Sequence, residues 1–318
     1  MVEWEMDRIV EKHWNLNDIE VFLNVADLSL RSSINNVLRN NGVRKIHFGQ
    51  SLAEISSHLE LETPDLLICS THFPDGELYP VLHDLRHHKW GKNPFVPIIT
   101  VTSEPNTEIV KLVLESGADD LLVPPISTNQ LLSRIDGLAR HRKQFVVTTD
   151  YVGLTRRSNS QSRGTEIPMI DVPNTLKMKI AGERSLINLA DAIELALAEI
   201  NMQKIERHGV QLVYLAERIV DPKRPDRRIE NSGPELDKLI DVAEETRSRM
   251  MSTKYEHTST LCGSLLEVAH NIRDSGDQPS EQDLNLLNPL AQAIQVGFSD
   301  SEAANAAHAI ADTVARGD

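Results

Sequence analysis

From about residue 18 to residue 140, short apolar runs alternate with amphipathic stretches, and this alternation constrains the chain more than any other feature. "IEVFLNV", "RKIHFG", "DLLICS", "PIITVT" and "DLLVPP" read as strands. Between and after them, "LSLRSSINNVLRNN", "SLAEISSHLE", "ELYPVLHDLRHH", "TEIVKLVLESG" and "STNQLLSRIDGLARHR" carry helical spacing. Strands and helices that take turns in this way are expected to build a parallel sheet covered by helices. Gly42 and Gly117 stand where a helix end takes a left-handed residue at little cost.

The rhythm then changes. Residues 145–183 include "TRRSNSQSRGTEIP" and the two prolines of "IPMIDVPN", and read as a partly extended connector in which Arg156, Arg157 and Arg163 are solvated charge. Beyond residue 184 almost everything is helical. Leu186, Leu189, Ile193, Leu197 and Ile200 mark one stripe, which resumes after an expected kink near Gly209 with Leu212, Val213, Ala216 and Ile219. Ser232 and Glu235 have capping-box spacing, opening a helix expected to run to about Arg273. Its seam reads Leu239, Ala243, Thr246, Met250, Thr253, His257, Leu261, Ser264, Val268 and Ile272. A further segment through Ile294 and a last Ala-rich helix beginning at Ser299 complete the set. Helices this long bury their stripes against each other or against a second copy of the chain. The expected organisation is an N-terminal helical extension (1–17), an α/β domain (18–144), a connector (145–183) and an α-helical bundle (184–318).

A chain of 318 residues has room for two cores. Its net charge of -14 and pI near 5.3 argue against a nucleic-acid or anionic-membrane partner for the whole molecule. The basic runs at 140–143 and 223–228 read as solvated loop charge. Cys69 and Cys262 have no metal or disulfide spacing, which fits a reducing compartment. No apolar run approaches the roughly 18 residues of a membrane span, so a soluble cytoplasmic protein is expected.

The first half resembles the receiver domain of bacterial two-component response regulators. "PDLLICSTHFPDG" is similar to the family's third strand and following loop, "VPIITVTSE" to its fourth strand, and "ESGADDLLVPP" to the approach to its fifth. The resemblance implies a flavodoxin-like sheet in the order 2-1-3-4-5, with the site at the carboxyl ends of the strands. It also implies an aspartate that takes a phosphoryl group, an acidic pair that holds Mg²⁺, a lysine on the phosphoryl oxygens, and a Thr or Ser with an aromatic partner as the switch. Here the phosphoacceptor position is Ser70, and the acidic pair falls on Val25 and Ala26, with Arg31 fixing the register. Asp27 is one place late and is expected to pair with Arg31. The lysine position is Pro124 and the aromatic position Leu121; only Thr102 keeps the family's chemistry. A hydroxyl forms no acyl phosphate, and without metal and lysine charge the transfer loses its main stabilisation. The reading is a pseudo-receiver with no catalytic residue, cofactor or metal.

Two histidine patterns remain. His83 with His87 and Asp84 with His88 have i,i+4 metal-ligand spacing, but no third ligand is evident and a helix-end role is expected. His257 stands on the helical seam, where hydrogen bonding inside the bundle is expected. The polar seam of Thr246, Met250, Thr253 and His257 points to a groove or a homodimer contact in place of a packed interior. Together these readings describe a non-enzymatic signalling adaptor. Its signalling partners would use the face of the fourth helix, fifth strand and fifth helix, together with the helical domain. The alternative is a phosphorelay component carrying phosphate on His257.

Overall fold

The computed structural model describes residues 16–156, 168–182, 188–220, 233–276 and 278–298. The chain divides into two compact units. The first takes the described residues up to 147 together with 151–196, and the second takes 148–150 with 197 onward.

In the first unit the elements run β1 (Glu20–Asn24), α1 (Leu28–Asn40), β2 (Lys45–Gly49), α2 (Leu52–Leu61), β3 (Leu66–Ser70), β4 (His72–Phe73), β5 (Gly76–Glu77) and α3 (Leu78–Arg86). They continue with β6 (Ile98–Val101), α4 (Thr107–Glu115), β7 (Asp120–Leu122) and α5 (Thr128–Arg140). The five-stranded sheet has the order β2-β1-β3-β6-β7 and is parallel throughout. Every strand and helix expected between 18 and 144 is present, in a flavodoxin-like arrangement. The small antiparallel β4-β5 hairpin forms the loop after β3.

Strand β3 shows why the order holds. Leu66, Leu67, Ile68 and Cys69 are all buried, so both faces of the strand must be covered. Alternate residues serve opposite faces. Leu66 and Ile68 join Ile34, Leu38, Leu131 and Ile135 on the α1 and α5 side, whereas Leu67 and Cys69 join Ile55, Leu59, Leu82 and Leu85 on the other. Local chemistry starts the helices: Asp27, Ser51, Asn106 and Ser127 each accept an N–H from the first turn of the helix they cap. Ser127 and Gln130 complete a capping box. Gly117 ends α4 with φ +91°, and a Cβ there would stand 2.6 Å from Arg86 Cγ and 2.9 Å from the Val152 oxygen, so backbone and packing both demand glycine.

The stretch expected as a connector is structured wherever it is described. β8 (Phe145–Val147), β9 (Val152–Leu154) and β10 (Met169–Ile170) form a small antiparallel sheet in the order β10-β8-β9, and α6 (Thr175–Ala181) places Leu176 in the first unit's core. Asn174 donates to the Leu138 carbonyl, and Lys179 pairs with buried Asp65 at 2.7 Å. Arg156 donates to the Ala118 and Asp119 carbonyls and so is not simply solvated charge; Arg157 and Arg163 lie outside the described residues. Strands of two or three residues give no periodic signal, which is why the sequence reads as linker there.

The helical unit contains most of α7 (Leu189–Val220), with α8 (Gly233–Met250), α9 (Ser259–Asp274) and α10 (Glu281–Gly297). Its core joins Leu212, Leu239, Ala243, Leu265, Ile272 and Ile294, among others. Three expectations need correction. Helix α7 is one continuous element through Gly209. A Cβ at Gly209 would meet the Phe298 ring at 2.8 Å, so this glycine serves the close approach of the end of α10. The expected helix to Arg273 is two helices, α8 and α9, divided by a turn that includes the 3₁₀ segment Glu256–Thr258. The break removes His257 from any seam. The expected Ser232 cap and the helix from Ser299 lie outside the described residues, as does almost all of the 1–17 extension. No described helix is long and apolar enough to cross a membrane.

Candidate functional site

A cavity of about 590 Å³ opens at the carboxyl end of the sheet in the first unit, and the loops after β1, β3, β6 and β7 shape its walls. Of the seven positions singled out in the sequence, five line it: Ala26, Asp27, Ser70, Thr102 and Pro124. The other two are placed elsewhere. Val25 is fully buried in the α1 and α5 core, and Leu121 packs against the core on the opposite face. Neighbouring positions on an extended chain point to opposite sides, so the one-residue step from Ala26 to Val25 turns the side chain out of the cavity.

Ser70 ends β3, paired with Val101 of β6, and its Oγ accepts the Ala26 N–H at 3.2 Å. That leaves the hydroxyl hydrogen to donate. Thr102 is buried, and its Oγ1 accepts the Glu104 N–H at 3.4 Å. The Pro124-Pro125 bond is cis. Asp27 does not pair with Arg31 as expected. Its carboxylate caps α1 through the Leu30 N–H at 2.9 Å, while Arg31 donates to the Gly49 carbonyl at 2.9 Å. An unsatisfied amide one turn away is the nearer partner.

Further wall residues were missed by sequence reasoning. Ser29 and Ser33 line the cavity from α1, and Thr71, His72, Ser103 and Glu104 from the strand ends. Their one legible signal is the spacing of Ser29 and Ser33, a single helical turn apart. The Asp27 and Glu104 carboxylates and the His72 imidazole are part of the lining, and no lysine or arginine is.

The loop after β3 is held firmly. Asp75 accepts the Leu52 and Ala53 N–H groups at the start of α2, and these backbone donors hold its carboxyl below the usual carboxylate range. Thr71 N–H donates to the Val101 carbonyl at 3.0 Å, and Leu78 N–H returns to the Thr71 carbonyl at 3.1 Å. Buried Phe73 anchors the hairpin between them.

A divalent ion of the kind that receivers use is held by oxygens with carboxylate charge among them. The lining of this cavity offers the Ser70 hydroxyl, the Asp27 carboxylate already committed to a helix cap, and the carboxylate of exposed Glu104. Among the described residues no group of three or more His, Cys, Asp or Glu side chains is placed to hold a metal ion. The donor set does not fit Mg²⁺.

The histidines divide differently from expectation. His83 and His87 stack with ring centroids 4.0 Å apart, and Asp84 is engaged by Lys89 at 2.9 Å and by His83 at 3.1 Å. His257 is exposed on its turn, not buried on a seam. Among the described residues of the helical unit the buried histidine is His208, which the sequence reading passed over.

Residues 26–136 match the family model of the response regulator receiver domain. This stretch is a receiver domain. Among curated relatives, the DNA-binding response regulator MtrA of Mycolicibacterium paratuberculosis is 31% identical over 109 residues, covering 34% of this chain and 46% of that protein. The transcriptional regulatory protein KdpE of Staphylococcus aureus is 20% identical over 139 residues, covering 42% of this chain and 54% of that one. The chain therefore spans about half the length of the curated relatives it matches. Among solved structures, the receiver domain of the sensor histidine kinase PA1611 from Pseudomonas aeruginosa is 21% identical, covers 36% of this chain and 93% of that one, and gives a TM-score of 0.33. Vibrio cholerae CheY4 is likewise 21% identical, covers 37% and 97%, and gives 0.33. The receiver domain is fused to the helical region, which the family match does not cover.

Proposed function

We propose that the chain is a signalling adaptor of the two-component type, in which the receiver domain takes no phosphoryl group and the helical unit binds a partner or a second copy. One observation carries this reading: the side chain at the end of β3 is Ser70, a neutral hydroxyl bonded to the Ala26 amide. Pro124 stands in the same cavity at the family's lysine position and supplies neither charge nor N–H. A phosphoryl transfer there would lack the metal and lysine that stabilise its transition state.

Incubating the full chain with acetyl phosphate and Mg²⁺ and weighing the intact protein tests this directly. No added phosphoryl mass is expected; an adduct mapped to residues 18–144 overturns the reading. Signalling partners are proposed to use the face of α4, β7 and α5, where Leu112 and Val123 are exposed. Light scattering of the full chain tests the proposed homodimer. A protein partner is favoured over DNA by the net charge of -14 and by long helices unlike a helix-turn-helix. A gel-shift titration at low salt checks that choice against the DNA binding named for the relatives.

A second reading has one observation in its favour. His257 is exposed, as a phosphate-carrying imidazole must be. Acid-labile phosphate from a phosphodonor kinase, abolished by His257→Gln, would establish that reading in place of the adaptor.

A further inference from the structure

The cavity that receivers use for a phosphoryl group has a different character here. Two walls differ in kind. One is apolar, made by Leu30, Ile34 and Val37 of α1 with Ile126 just before α5 and Leu131 within it. The other gathers hydroxyls at the strand ends, from Ser70, Thr71, Thr102 and Ser103. At about 590 Å³ the space falls within the range of small-molecule sites, which combine apolar walls with a few convergent polar groups.

Charge narrows the class of occupant. The walls carry the carboxylates of Asp27 and Glu104 and no lysine or arginine. An anion entering this space would meet two carboxylates with no lysine or arginine to oppose them and only the His72 imidazole beside them, whereas an ammonium would meet those carboxylates and hydroxyl oxygens able to accept its hydrogens. We propose that the cavity binds a small amphipathic amine, its apolar body between α1 and α5 and its ammonium at the strand-end hydroxyls near Glu104. This rests on the reading that the pocket does not accept a phosphoryl group. It gives that pocket a ligand as input in place of phosphate.

Three probes of one shape test it: 4-phenylbutylamine, 4-phenylbutanol and 4-phenylbutanoate, each titrated at neutral pH into the isotopically labelled full chain and followed by amide NMR. Saturable shifts are expected at Ala26, Ser70 and Ser103, with the amine binding about tenfold more tightly than the carboxylate and the alcohol between them. Ser33 is exposed on α1 and lines the cavity, so Ser33→Trp should fill the space without disturbing the core and abolish the shifts. Glu104→Gln, at an exposed position, should narrow the advantage of the amine over the alcohol. Equal affinity for the three probes, shifts confined to other surfaces, or binding indifferent to Ser33→Trp each overturn the proposal. The acetyl phosphate experiment keeps the two readings apart. An adduct there refutes the phosphate-free pocket, and a silent amine titration with no adduct refutes the ligand alone.

Discussion

Each unit buries charge, and the two do it in opposite ways. In the receiver unit Asp119 lies between Arg86 and Arg142 at 2.9 and 3.0 Å, with the three side chains 0%, 0% and 4% exposed. The remaining donors of Arg86 reach the Gly117, Pro94 and Val96 carbonyls, and Arg142 reaches that of Phe95. Burial pushes Arg86 down to about 10, still far above neutrality. In the helical unit the bases are buried but the acid is not. Lys204 and His208 are each 1% exposed, while Glu245, 3.5 Å from the Lys204 ammonium, is 42% exposed and also binds Arg249 at 2.7 Å. Thr246 donates its hydroxyl to the Val242 carbonyl at 2.6 Å, so its contact of 3.1 Å with His208 Nδ1 requires that nitrogen to carry the proton. The first network is closed, with all three side chains out of water. The second holds a titratable ring in a dry place.

Breaking the closed network should have the largest effect. Asp119→Ala strands two buried guanidinium groups and is expected to cost about 3–5 kcal/mol, measured by urea unfolding followed by circular dichroism. Glu245→Gln should cost clearly less, because water reaches its site. An equal loss would erase the contrast.

Acid should separate the units next. Burial foremost pushes His208 down to about 4, with Lys204 and Arg249 adding to the effect and Glu245 opposing it. The unfolded chain takes up this proton near pH 6.5 and the folded chain only near 4. Stability is therefore full above about 6.5 and is lost as pH falls toward 4, by on the order of 2–3 kcal/mol. Glu245, held down to about 2 despite burial by Lys204 and Arg249, adds a loss in the same direction at lower pH. Helical circular dichroism against pH should show this slope, and His208→Gln should flatten it between 4 and 6.5. Arg86 does not titrate there.

Packing supplies a smaller test. Gly209→Ala gains helix propensity but drives its methyl into the Phe298 ring, and is expected to destabilise the helical unit by about 1–3 kcal/mol. A rise in melting temperature would mean that α7 and the end of α10 have room to separate. Smallest is Ser127→Ala, which removes the capping box of α5 at about 1 kcal/mol and should leave the helical unit's acid response unchanged.

Most of the receiver fold was legible because its signals are local. "DLLICS" announces a strand covered on both faces, and a cap such as Asp27 or Ser127 acts within one turn of its own helix. The candidate site was legible only as a set of substitutions. Ser70, Ala26, Thr102 and Pro124 line one cavity, but Val25 and Leu121 turn away, and Ser33 and Glu104 join the lining from segments already read as helix and strand end without being singled out themselves. The helical unit was harder to read. A turn at 251–258 leaves the apolar spacing on either side nearly in phase, so one long seam and two helices look alike in sequence, and His257 was misplaced for that reason.

Sequence alone determined which segments are strands and helices around the receiver sheet, and which side chain stands at the end of β3, since both are set by residues within a few positions of each other. Only the tertiary structure decided that most of the apparent connector's described residues belong to the first unit, that His208 and not His257 is buried, and that a cavity with carboxylates and no lysine or arginine lies over Ser70. Those outcomes depend on contacts between residues dozens of positions apart, where burial and charge are set by neighbours that no local pattern names.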